Sequence, residues 1–173
     1  MISRQPLRTL ALFAALVLTA VCASAAGTTQ TIKPDGRTDL ALTRPGMKPV
    51  RVALWLEKVE TSFPYKDALL WGGDVGVLPL EVVGSIEVYD GDQMIFVPLS
   101  AYGDLGDVKL ASVDPTARGF ALNLHGGATA SSYDAKLSFE GGYLVSRSVA
   151  SREFPQQVRE QTSYLFLKRT GNE

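Results

Sequence analysis

Three groups of side chains could do chemistry, and their spacing has to be weighed first. His125 is the only histidine in the 173 residues. It precedes Gly126-Gly127, whose backbone N–H groups could face an oxyanion in acyl transfer. That reaction also needs an activated nucleophile. No Gly-x-Ser-x-Gly occurs, nor the strand–helix alternation that presents one. Ser131, Ser132, Ser146, Ser148 and Ser151 have no base at a usable spacing and no Ser-x-x-Lys among them. By alternation His125 shares an outward face with Asn123, so it reads as a solvent-facing histidine at a strand end.

Asp90, Asp92, Asp104 and Asp107 form a second group. Calcium takes six or more oxygens, and its loops space several carboxylates regularly before a bidentate glutamate. Asp90-Gly91-Asp92 and Asp104-Leu105-Gly106-Asp107 offer two acids each, with no glutamate at the right distance. Asp and Gly are also the residues that build turns, and turns are the reading adopted. One histidine and one cysteine cannot furnish a zinc shell. No metal and no cofactor is expected, and no catalytic residue is assigned.

The third group is carboxylates: Glu57, Glu60, Glu81, Glu87, Glu140, Glu153 and Glu160. Glycoside hydrolysis needs two of them about 5 to 10 Å apart. Nothing in the sequence places two in one cleft, so a carboxylate-dependent hydrolase stays an alternative only.

With bond-making chemistry set aside, the aromatic residues stand out. Trp55 falls on the strand face opposite Val52, Leu54 and Leu56. Phe63, Tyr65 and Trp71 lie in a stretch rich in Gly and Pro. Large aromatics outside the main core face are typical anchors of binding surfaces. These four are the expected binding residues. The competing reading packs Trp55 beneath the 61–79 loop. Arg147, between Val145 and Val149, breaks an apolar face and is expected either to reach outward at a sheet edge or to pair with a carboxylate such as Glu160.

The elements that must position these residues are mostly strands. Residues 1–25 read as a cleaved secretory signal: Arg4 and Arg8, an apolar run from Leu10 to Val21, then Ala23-Ser24-Ala25. The run is shorter than the roughly 20 apolar residues of a membrane span. No transmembrane segment is expected in the mature chain. Cys22, the only cysteine, would leave with the signal; a lipid anchor on Cys22 is the lesser alternative, because Val21 precedes it and the usual leucine is missing. Residues 26–47 read as a flexible lead, residues 48–169 as a single β domain and residues 170–173 as a tail.

Within the domain, Val50, Val52, Leu54 and Leu56 alternate as one face of a strand. Ser85 to Tyr89 and Gln93 to Val97 form a hairpin. A turn at Gly91-Asp92 sets Val88 against Ile95 and Ile86 against Val97, and puts Gly first as a type II′ turn requires. Asp114-Pro115 opens a loop between Val108–Val113 and Phe120–His125. A second hairpin carries Tyr133, Ala135, Leu137 and Phe139 on one face. A three-residue loop at Glu140-Gly141-Gly142 would pair Phe139 with Tyr143 and Leu137 with Val145. Pro155 to Gln161 could supply a helical turn before a last strand over Thr162–Lys168. The fold class expected is all-β: an antiparallel meander forming a sandwich or a partly open barrel.

The net charge is −1 and no stretch is basic, which argues against nucleic acid as a partner. The expectation is an exported, non-enzymatic binding protein, periplasmic or secreted. Its partner would be a protein of the cell envelope, as for an inhibitor or immunity-type protein. The rival is a small-molecule or lipid carrier with an apolar pocket that Phe120, Leu122, Tyr133 and Phe139 leave unfilled.

Overall fold

The computed structural model describes residues 27–34, 36–60, 78–128 and 131–166. Ten strands run through them: β1 (Thr28–Thr31), β2 (Arg37–Leu42), β3 (Val50–Lys58), β4 (Glu81–Asp90), β5 (Gln93–Ile95), β6 (Leu110–Thr116), β7 (Gly119–Gly126), β8 (Tyr133–Glu140), β9 (Tyr143–Ser151) and β10 (Val158–Ser163). They form two antiparallel sheets, one ordered β1-β6-β7-β8-β9-β10 and the other β2-β3-β4-β5. The sheets do not close into a barrel. No helix of the described residues is long and apolar enough to cross a membrane.

Alternation explains the layering. Val50, Val52, Leu54 and Leu56 are all buried, as β3 requires of a strand with one face on the core. Tyr133, Ala135, Leu137 and Phe139 do the same for β8, and both sets enter a single apolar cluster. At the end of the cluster nearest the Ala117-Arg118 and Gly141-Gly142 turns, Phe120 and Phe139 stack with ring centroids 4.8 Å apart and planes 12° from parallel. This offset stacking adds to the free energy of burying the two rings.

Residues 26–47 depart from the flexible lead expected of them. They supply β1 and β2, and Ile32, Leu40 and Leu42 enter the core. β1 pairs with β6 and β2 with β3. The two sheets therefore take in chain well before residue 48.

The first hairpin turns at Gly91-Asp92 as expected: Asp90 pairs with Gln93 and Val88 with Ile95. Gly91 takes φ 63, the left-handed conformation a Gly-first turn needs. The second hairpin differs. Glu140 pairs with Tyr143, so the turn is the two residues Gly141-Gly142, with φ 56 and 83. Positive φ at both central positions is the type I′ signature. A register break between Ser138 and Phe139 then sets Leu137 opposite Arg147. That break lets Leu144 rather than Tyr143 or Val145 join the core, and Tyr143 is exposed.

Asp114 and Pro115 do not open a loop; they continue β6 opposite Ala121 and Phe120, and the turn is Ala117-Arg118. Pro115 lacks an N–H for a second neighbour and needs none, because β1 ends its pairing at Val113. Around Pro155 there is a short turn with no helix, and β10 starts at Val158. Residues 167–173 lie outside the described residues.

Candidate functional site

Trp55 is placed on the outer face of the four-stranded sheet, half-buried, with Arg37 and Ser85 as its cross-strand partners. The Arg37 guanidinium lies 4.9 Å from the Trp55 ring centroid, and its Nε donates to Asp39 Oδ1 at 2.7 Å. The next row holds Asp39, Ala53 and Glu87, and the row after it Ala41, Arg51, Tyr89 and Met94. There Arg51 sits 5.2 Å from the Tyr89 ring while its Nη2 donates to the Gly91 carbonyl at 3.0 Å. Small side chains at Ala41 and Ala53 leave a depression of about 330 Å³ between the two stacks.

The face continues onto β5. Ile95 and Val97 point inward and are buried, whereas Met94 is 58% and Phe96 68% exposed. By alternation these two lie on the Tyr89 side. Sequence reasoning named Trp55 but missed Arg37, Arg51, Tyr89, Met94 and Phe96. The signal was present: Gln93–Val97 is apolar at its outward positions as well as its inward ones. Phe63, Tyr65 and Trp71 fall in 61–77, outside the described residues.

The outer face of the six-stranded sheet is different in kind. Asp114 Oδ2 accepts from Ser112 Oγ at 2.6 Å and from Asn123 Nδ2 at 2.7 Å. His125 Nδ1 lies 2.5 Å from Asp134 Oδ1. His125 thus stands outward beside Asn123, as its alternation indicated, with a carboxylate partner and no serine at hand in its hydrogen bonding.

The four aspartates go to four separate tasks. Asp90 pairs with Arg44, Asp92 with Lys48, and Asp104 with Arg147. Asp107 Oδ1 accepts from the backbone of Leu80 and Glu81. Among the described residues no three His, Cys, Asp or Glu side chains gather as a metal site. The Lys48 hydrogen bond, reinforced by its charge, holds the Asp92 carboxyl below its ordinary pKa.

Arg147 points inward, not out at an edge. It is 2% exposed, donates from Nη1 to the Ser100 carbonyl at 3.0 Å, and places Nη2 2.7 Å from Asp104 and 3.4 Å from Glu160. The four-stranded sheet ends at β5, so the loop through Leu99–Ala101 covers β9 instead. The Pro98, Leu99 and Tyr102 carbonyls accept backbone N–H groups within the loop, and Arg147 supplies the donor to the Ser100 carbonyl.

Among the described residues two larger clefts open elsewhere. One, about 650 Å³, lies where Asp90 and Gln93 and the Ala117-Arg118 and Gly141-Gly142 turns meet Arg44. The other, about 880 Å³, is mostly apolar and is lined by Ile32, Leu56, Val59, Leu80 and Val108. Phe120 and Phe139 enter the core and also line the inner wall of the first cleft, whereas Leu122 and Tyr133 are packed wholly inside the core.

The fold and this face define an antiparallel β-sandwich with an arginine–aromatic outer surface. Compared with protein-family models, with curated proteins and with solved structures, the chain matches none.

Proposed function

We propose that this is an exported binding protein with no catalytic machinery of its own, acting on a protein partner in the cell envelope. The observation that carries the reading is the outer face of the four-stranded sheet. Two arginine-on-aromatic stacks flank a shallow depression there, and Met94 and Phe96 extend it. Trp, Tyr and Arg are the residues that dominate binding energy at protein interfaces. An inhibitor or an immunity-type protein would need such a face and nothing more. Export rests on the leader-like first 25 residues.

The test is capture from envelope extract with the purified protein as bait. Trp55→Ala should abolish enrichment of the partner and leave the melting transition in place. Undiminished capture by Trp55→Ala would sink the reading.

A carrier of an apolar ligand is the second reading, and the apolar cleft of about 880 Å³ favours it. Native mass spectrometry of the purified protein separates the two. A bound small molecule supports the carrier; a bound polypeptide supports the first reading.

A further inference from the structure

We infer that the partner meets this face as an added strand, an extended segment hydrogen-bonded along the free edge of β5 with apolar side chains at alternate positions. The inference rests on the reading that this face binds a protein, and it names how.

The backbone geometry comes first. In an antiparallel pair, every second residue exchanges both hydrogen bonds with its partner and the intervening residue points its N–H and C=O away. A two-residue turn closes on the bonded pair Asp90 and Gln93, so Val88 and Ile95 are bonded too. Met94 lies between them. Its N–H and C=O therefore face away from β4, and past the end of β5 the burial alternation runs on through exposed Phe96 and buried Val97. Among the described residues no turn or loop backbone bond involves Met94 or Phe96.

The other edges are built differently. β1 is Thr-Thr-Gln-Thr, and β2 carries Arg37 and Asp39. β10 carries Arg159 and Glu160 and has a register break between Val158 and Glu160. Charge, irregularity, proline and shortness are the usual guards against edge pairing. β5 is guarded only by its three-residue length and by Pro98 after it; it is uncharged and regular, and unlike the polar β1 it exposes apolar side chains, Met94 and Phe96, with Leu99 beyond at 65% exposure.

The occupant follows from this chemistry. Outward backbone groups at every second residue are matched only by another extended backbone, and the side chains of that strand would lie beside Met94 and Phe96. A second copy joined edge to edge fits poorly. The strand edge from Gln93 to Ile95 is about 10 Å long, whereas a stable interface between folded proteins buries about 1,200 Å² or more. A linear segment needs only the strand length and one or two side-chain anchors.

The experiment uses the full chain and a set of short synthetic peptides with apolar residues at alternate positions. Hydrogen exchange of the Met94 and Phe96 amides is followed by NMR, and affinity by fluorescence anisotropy. A binding peptide should slow both exchanges. Methylating its alternate backbone nitrogens should weaken it about tenfold, the effect of losing one or two backbone hydrogen bonds. Met94→Pro removes the outward N–H while keeping the β4 pairing, and should abolish peptide binding. Phe96→Lys serves the same purpose if the proline variant fails to fold. No protection of either amide by any peptide, or equal binding to Met94→Pro, would overturn the inference. So would a concentration-dependent dimer that Met94→Pro dissolves, which would make the occupant a second copy. Envelope capture tells the two proposals apart: loss in Trp55→Ala alone leaves the face and removes strand addition, and loss in Met94→Pro alone does the reverse.

Discussion

The two sheets have the same inward chemistry and opposite outward chemistry. Inside, both present Val and Leu at alternate residues to one cluster, joined by Ile86 and Ile95 from the four-stranded sheet and Phe120 and Phe139 from the six-stranded one. Outside, the middle of the six-stranded sheet shows two satisfied polar groups, Asp114 with Ser112 and Asn123, and His125 with Asp134, and its aromatic pair, Tyr143 stacked on Phe166, sits beside the Gly141-Gly142 turn. The four-stranded sheet shows Trp55, Tyr89, Met94 and Phe96 beside Arg37 and Arg51. A polar face whose groups satisfy each other has little left to offer a partner. An aromatic face with arginines stacked on it keeps apolar area and spare donors available. Alternation alone is silent on this difference, since it fixes which residues face out and not what they do there.

The largest effect expected on stability comes from the residue where the two sheets fail to match in width. Arg147→Ala should cost about 3 kcal/mol, the lower end for breaking a buried ion pair, because Asp104 and Glu160 keep some contact with water. Urea unfolding measures it, and partner capture should survive in the folded fraction. Next comes Trp55→Ala, with capture weakened by about 2 kcal/mol or more, roughly 30-fold. Lys136→Ala on the six-stranded face should leave capture unchanged; equal losses from both faces would erase the contrast. Asp114→Ala strands the Ser112 donor, leaves Asn123 only its longer bond to Ser112 Oγ, and should cost about 1 kcal/mol of stability with no change in capture. Arg37→Ala removes a cation–π contact of about 0.5 kcal/mol at an exposed site. Its clearest readout is a shift in Trp55 fluorescence.

The smallest effect concerns acid. Asp92 has a folded pKa below its unfolded one, so its pairing with Lys48 contributes stability above the ordinary carboxylate range and loses it as the pH falls through the folded value. Both side chains are well exposed, at 69% and 81%, so salt screens the pair. Lys48→Ala should flatten the acid limb of the stability curve slightly at low salt and not at all at high salt.

Much of the core was legible from period-two alternation. The inward sets of β3 and β8 and the Gly91-Asp92 turn follow directly from apolar spacing and the conformational demands of glycine. The lead was misjudged because β1 is a strand of threonine and glutamine at a sheet edge, where burial is slight. The Thr38, Leu40, Leu42 alternation was visible but flanked by Pro, Gly and charge. The β8–β9 register was misjudged because a bulge shifts pairing without any residue type that marks it. Asp114-Pro115 resembles a turn locally, and only the shortness of β1 makes it tolerable inside a strand. Of the site, Trp55 could be named in advance. Its companions could not, because their proximity is set by cross-strand register between segments far apart in the chain.

The pairing of β1 with Leu110–Val113 bears on when the molecule can take shape. A ribosome delivers Thr28 long before Val113, so the first strand must wait for most of the chain before its edge of the sheet exists. Such distant pairing slows folding, since the intervening chain must be closed into a loop first. Until Leu110–Val113 has been made, the Thr28–Thr31 segment has no strand to pair with, so this edge of the sheet closes late.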